Sequence, residues 1–298
     1  MAEFRILSLD GGGSWALIQV KALIDLFSGK KDGSDITGHE VLKHYDLVVA
    51  NSGGALTLGG LIKNWPLAQI LDMFMNPADR GRIFVPATFF ADPFAHLTGL
   101  AGVGPKYSAK AKLQGLRGLL GPVGDKFVTD VPAMVGAGYG GRPVHVVFCA
   151  FDYDLNRERY FRSDTASLAA SRSAALPVTI AQAIHASSNA PVNYFDAPAS
   201  GPLLTRFWDG AVGGYNNPLL VGVVEALANA VTYNTDRASI KALSIGTANV
   251  ALPLSQGSPG EDPDLVAHRD NSSILSDVKK WQPASWTIRR MRPRFTLT

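Results

Sequence analysis

The chain has 298 residues, 46% of them apolar, enough to bury a substantial core. A net charge of +3 is too small to argue for nucleic acid or an acidic membrane surface, and a single cysteine, Cys149, excludes an internal disulfide. No stretch is long and apolar enough to span a bilayer, and the first residues lack the basic head and apolar core of a signal peptide. A soluble, cytoplasmic, globular protein is therefore expected. One domain over residues 1–298 is the default, with a motif-bearing core over about 4–250 and a basic segment at 274–298.

In chain order, Phe4 to Leu9 reads as a short buried strand, broken by DGGGS. Helical spacing follows in WALIQVKALIDLFSG, with Ser14 as N-cap and Gly29 as stop. After a polar loop and a short amphipathic segment, Asp46 to Ala50 reads as a second strand and a second helix starts near Gly53. This alternation predicts a parallel sheet with helices on its faces. From about Arg80 to Gly141 the pattern loosens into a stretch rich in Phe, Gly and Pro, a covering segment or an irregular connection. PVHVVFCAFDYD returns as a strand with RERYFRS as its hairpin partner, and Pro177 to Ala186 reads as a helix. TRFWDGA and IKALSIGT read as further strands. Between them, Asn217 as N-cap and Pro218 as first helical residue open PLLVGVVEALANAV. No internal repeat is present. The basic end, with Lys279, Lys280, Arg289, Arg290, Arg292 and Arg294, reads as a solvated tail; contact with anionic lipid headgroups is the alternative.

Three places can carry chemistry. In Asp10 to Ala16, three glycines between strand and helix let several N–H groups point into one space, and the helix dipole adds to their field. Such a nest binds phosphate or stabilises an oxyanion. It formally matches G-x-G-x-x-A, but Asp10 sits where a pyrophosphate would, and the next strand ends in Ala50 and Asn51 rather than an acid for a ribose. Ser52 follows a strand and precedes a helix, as a nucleophile elbow requires. Gly54 supplies the small neighbour on one side, Ala50 a methyl on the other, and Gly53 a following N–H. A serine capping a glycine-rich helix is the competing reading. Asp209 ends an apolar strand ahead of Gly210, where a desolvated carboxylate can act as base toward a hydroxyl or simply bond its own turn. In a parallel sheet all three loops gather at the carboxyl edge.

In this order the three motifs resemble the patatin-like phospholipase family. Its glycine loop D-G-G-G-x-R/K-G is similar to Asp10 to Ala16, its elbow G-x-S-x-G to Ala50 to Gly54, and its D-G-A/G motif to Asp209, Gly210 and Ala211. PKYSAKAKLQGL, HASSNAPVNYF, GGYNNP and LSIGTA add lesser similarities, and the resemblance runs from about Phe4 to Asn249. It implies a three-layer α/β/α fold with a mostly parallel central sheet. It implies a lipid acyl hydrolase of the phospholipase A or esterase type, with a lipid or phospholipid ester as substrate and a Ser52–Asp209 dyad. Gly11, Gly12 and Gly13, with Gly53, are then the oxyanion donors. Trp15 stands where the family has a basic residue, Ala16 and Ala50 where it has glycines. These departures motivate an alternative, a weak or non-catalytic member that binds lipid or a partner. A Ser52–Asp209–His268 triad is a second alternative. Neither metal nor other cofactor is expected, nor nucleic acid. The Phe84, Phe89, Phe90 and Phe94 cluster reads as core, or as an acyl groove or membrane contact.

Overall fold

The alternating apolar and amphipathic segments expected from Phe4 to the helix that starts near Gly53 each become an element, and the stretch from Arg80 to Gly141, expected to be irregular, holds helical segments where it is described. The computed structural model describes residues 3–86, 106–164, 177–191, 194–233, 235 and 239–247. Strand β1 (Phe4–Leu9) leads through a 3-10 turn (Gly13–Ala16) into α1 (Leu17–Phe27). Ser14 does not cap this helix: the tight turn intervenes and Ala16 takes the cap position. The helix ends at Phe27, two residues before Gly29. Helix α2 (Gly38–Leu42) is opened by a Thr37–Glu40 capping box. Strand β2 (Leu47–Ala50) turns directly into α3 (Gly53–Ile62), and α4 (Leu67–Met75) and α5 (Pro77–Ile83) follow. Helix α6 (Ala109–Leu120) is capped by Ser108, and α7 (Val131–Val135) leads to β3 (His145–Asp152) and its hairpin partner β4 (Arg157–Arg162). Helix α8 (Ile180–Ser187) starts three residues later than the sequence suggests, because the Thr179–Gln182 capping box sets its first turn. The remaining elements are β5 (Ala199–Ser200), β6 (Arg206–Asp209), α9 (Leu219–Ala228), α10 (Ala230–Tyr233) and β7 (Ile240–Ile245). Asn217 Oδ1 accepts the Leu219 N–H at 2.9 Å, but Pro218 holds the cap position and Leu219 is the first helical residue of α9, one residue later than the sequence suggests.

The sheet order is β5-β6-β3-β2-β1-β7, with β4 paired to β3. The run β3-β2-β1-β7 is parallel; β4, β5 and β6 are antiparallel to their neighbours. The fold is thus α/β with a mixed, mostly parallel central sheet. The antiparallel direction of β6 corrects the expectation that Asp209 arrives on a parallel strand. Register explains how it still reaches the same edge. On one side of β3, β4 pairs with Val147 to Asp152. The other side is shared: β2 takes His145 to Phe148, and β6 takes Ala150 to Asp152. Strands β2 and β6 therefore lie in one lane and meet end to end, Ala50 level with Phe148 and Asp209 level with Ala150.

Period-two alternation splits the apolar side chains between the two sheet faces. Leu7, Leu9, Val48, Ala50, Val146 and Phe148 face one core, shared with Val20, Leu23, Leu58 and Ile184. Phe4, Ile6, Leu47, Val49, Val147 and Cys149 face a second, closed by Val221 and Ala226 of α9. Helices thus cover both faces, as the layered expectation requires. The chain divides into two compact units, Met1–Thr247 and Ala248–Thr298. The second unit, carrying His268 and the basic segment 274–298, lies outside the described residues, as do Phe89, Phe90 and Phe94.

Candidate active site

The glycine loop is held from both sides. Gly11 N–H donates to Asn216 O at 2.7 Å and Asp10 N–H to Ile245 O at 3.2 Å. Gln19 Nε2 bridges Asp10 O (2.8 Å) and Ile245 O (3.0 Å), and Thr247 Oγ1 donates to Gly11 O at 2.9 Å. The expected oxyanion donor Gly11 is therefore spent on fixing the loop. The amides of Gly12, Gly13 and Gly53 pair with no backbone carbonyl among the described residues. Gly13 adopts φ +58°, which turns the loop without the strain a side chain would bring. Trp15 follows on the 3-10 turn, 58% exposed.

Ser52 has φ 52° and ψ −118°. This is the corner conformation that glycine normally occupies, so a serine there is strained. Its N–H is held by Ser187 O (3.1 Å) and Ser187 Oγ (3.2 Å). Backbones crowd on the helix side: a Cβ at Gly54 would lie 2.2 Å from Leu9 O, and one at Gly53 2.4 Å from Gly13 O. Ala50, by contrast, is buried within the sheet core, its methyl among apolar neighbours. The requirement for a small residue thus falls on Gly53 and Gly54, and Ala50 is accommodated.

Asp209 is 1% exposed at the end of β6. Its Oδ1 accepts Ala211 N–H at 2.9 Å and Asn51 Nδ2 at 3.2 Å, and the Ser52 side chain lies near enough to the same carboxyl group to favour its ionised form. Its own N–H donates to Asn189 O at 3.0 Å. Gly210 allows the turn to sit against the elbow, since a Cβ there would be 2.4 Å from Asn51 Oδ1 and 2.9 Å from the Cys149 carbonyl. Burial pushes the Asp209 carboxyl above the usual carboxylate range. The Ser52 hydroxyl, the Ala211 amide, the Lys112 charge and the Asn51 amide pull the other way. Serine, carboxylate and glycine loop are brought together at the carboxyl edge of β1 and β2. Asp10 stands at the rim, its Oδ1 accepting Ser244 Oγ at 3.4 Å.

A family model described as patatin-like phospholipase matches residues 7–223, which include all three motifs. The chain belongs to the patatin-like phospholipase family. Among solved structures, this patatin-like chain is similar to VipD from Legionella pneumophila, at 12% identity and a TM-score of 0.44; the match covers 97% of this chain and 55% of that one. The chain thus spans about half the length of VipD. No curated protein matches its sequence. Among the described residues, no group of three His, Cys, Asp or Glu side chains is placed to hold a metal ion, and no helix is long and apolar enough to cross a membrane.

Several residues of this patatin-like site carry no strong motif. Asn51 links elbow and carboxylate, and its neighbour Ser187 donates to Asn51 Oδ1 at 3.5 Å. Ser187 and Asn189 lie in HASSNAP, whose similarity to the family gave no hint of what its carbonyls hold. Lys112 is fully buried, with Ala109, Leu116, Leu119 and Leu120, on the apolar stripe of α6. Its i, i+4, i+8 spacing with Leu116 and Leu120 is the one sequence signal that marks it, unlike the flanking Lys106 and Lys110.

Proposed function

We propose that this patatin-like protein hydrolyses acyl esters of lipids through a Ser52–Asp209 dyad. The observation that carries the reading is the strained Ser52, set beside a buried carboxylate and a fixed glycine loop. Asp209 accepts the Ser52 hydroxyl proton as Oγ attacks the ester carbonyl carbon. The tetrahedral oxyanion is held by the amides of Gly12, Gly13 and Gly53, each donor contributing about 2.7–4 kcal/mol in comparable sites. Collapse expels the alcohol, which takes the proton back from Asp209. Water, deprotonated by Asp209, then attacks the acyl-enzyme and releases the fatty acid. These amides are backbone groups, so exchange of the family's basic residue for Trp15 leaves them in place. Phospholipids are the substrate class that the family supports.

A fluorophosphonate probe tests the reading. Covalent addition to wild type and not to Ser52→Ala, with Asp209→Asn slowed by orders of magnitude, is expected. An unlabelled, folded wild type that also leaves a panel of phospholipid and short-chain esters intact would sink the reading in favour of a binding protein.

A further inference from the structure

Lys112 has no role in the dyad chemistry, yet it sits against the dyad's supports. Three consecutive carbonyls at the end of α8 take three donors. Ser187 O accepts Ser52 N–H at 3.1 Å, Ser188 O accepts Lys112 Nζ, and Asn189 O accepts Asp209 N–H at 3.0 Å. One short segment thus fixes the nucleophile's amide, the base's amide and a buried ammonium. The ammonium also lies 4.1 Å from the centre of the Phe195 ring, and its own residue is 0% exposed.

We propose that Lys112 is a positioning residue for the dyad: its ammonium anchors the Ser187–Asn189 segment and serves as the buried countercharge of Asp209. The proposal rests on the dyad reading. Placing a lysine head inside a core is costly unless an opposite charge compensates it. The groups facing this region leave Asp209 in that part. His185 on α8 is held neutral by burial and by the Lys112 charge, and Cys149 on β3 is held as a thiol chiefly by burial. Asn51 and Ser52, from the β2 end, are neutral, and Arg162 on β4 is engaged by Glu225 at 2.8 Å. Burial pulls the Lys112 ammonium down to about 7, and the Asp209 charge acts against that pull. Reciprocally, the Lys112 charge favours the ionised carboxylate that must accept the Ser52 proton. A methionine or leucine at this position of α6 would serve packing alone.

The test uses the full chain and four proteins: wild type, Lys112→Met, Lys112→Arg and Ser52→Ala. The rate of fluorophosphonate labelling is followed against pH, beside the melting temperature. Labelling of wild type but not Ser52→Ala establishes the dyad reading first; if wild type is inert, that reading and this proposal fall together. Given labelling, Lys112→Met is expected to move the acid limb upward by about one pH unit or more, since an opposite charge lowers a carboxyl by about 1–3 units. Its rate at neutral pH should drop about tenfold or more, and Lys112→Arg should keep the wild-type limb. A labelled wild type with an unmoved limb in a folded Lys112→Met overturns the proposal alone. A purely structural lysine would lower the melting temperature and the labelled fraction but leave the limb in place. Should Lys112→Met fail to fold, Lys112→Gln, which keeps a donor toward Ser188 O but no charge, is read in the same way.

Discussion

The corner at Ser52 stores strain that two substitutions can separate from chemistry. Ser52→Ala and Ser52→Gly both remove the hydroxyl, so both should abolish labelling. They differ in whether a Cβ must occupy φ 52° and ψ −118°. A non-glycine residue in such a region costs about 1–3 kcal/mol. Glycine returns about 0.5–1 kcal/mol of this through its greater freedom in the unfolded chain. Ser52→Gly should therefore be more stable than Ser52→Ala by about 0.5–2 kcal/mol. For a domain of this size, at about 2–4 °C per kcal/mol, that is a rise of roughly 1–8 °C in melting temperature. Differential scanning calorimetry and urea unfolding of the two variants side by side provide the measurement. A Ser52→Gly less stable than Ser52→Ala would refute the argument, because a relaxed serine at this corner gains nothing from losing its Cβ.

Gly54→Ala should cost at least about 1–3 kcal/mol and slow labelling, since its methyl would meet the Leu9 carbonyl at 2.2 Å and push α3 off β1. Gly118→Ala, exposed in α6 with open space around it, should stabilise by about 0.5–1 kcal/mol on the same urea assay. Asp46→Ala should cost about 3–5 kcal/mol, seen as a large fall in melting temperature, because it leaves Arg142 (2.8 and 2.9 Å) and the Arg5 N–H (2.7 Å) without their buried acceptor. Hydrolysis should fall as pH drops, with its midpoint above the ordinary aspartate value of about 3.9, since burial raises Asp209 and its protonation removes the base. A pH–rate profile flat through that range would contradict the assignment of Asp209. His268→Ala should keep esterase activity; its abolition would demand a triad.

How legible the site was depends on which forces set each part. Strand β1, the elbow and α3 follow from a local pattern: an apolar run, small residues at a corner, another apolar run. The same holds for Asp209 at the end of an apolar strand. Strand direction, however, leaves no mark on side-chain alternation, so FWD reads alike whether β6 runs parallel or antiparallel to β3. Gly11 and Gly12 are equivalent in sequence. Only the approach of Asn216, more than two hundred residues away, decides that one amide binds the loop. Lys112 was hidden for another reason: a lysine in a helix is ordinarily solvated, and its burial is forced by the Leu116 and Leu120 stripe it shares. The cap shift from Ser14 to Ala16 likewise follows from a 3-10 turn that local propensity does not reveal.

The end-to-end meeting of β2 and β6 bears on how the proposed dyad would do with two residues what usually takes three. Asp209 lies two residues beyond Ala50 along β3, roughly 7 Å at about 3.3 Å per residue. The β2 chain turns within that interval, which brings the Ser52 side chain next to the carboxyl group. An imidazole placed between them would need a separation larger by the width of its ring. The Oδ1 atom of that carboxyl group is moreover already occupied by the Ala211 amide and the Asn51 side chain. In the proposed dyad, orientation of the base falls to Asn51 and to the backbone of Asn189, and the charge that an imidazolium would otherwise supply has a proposed buried counterpart in Lys112.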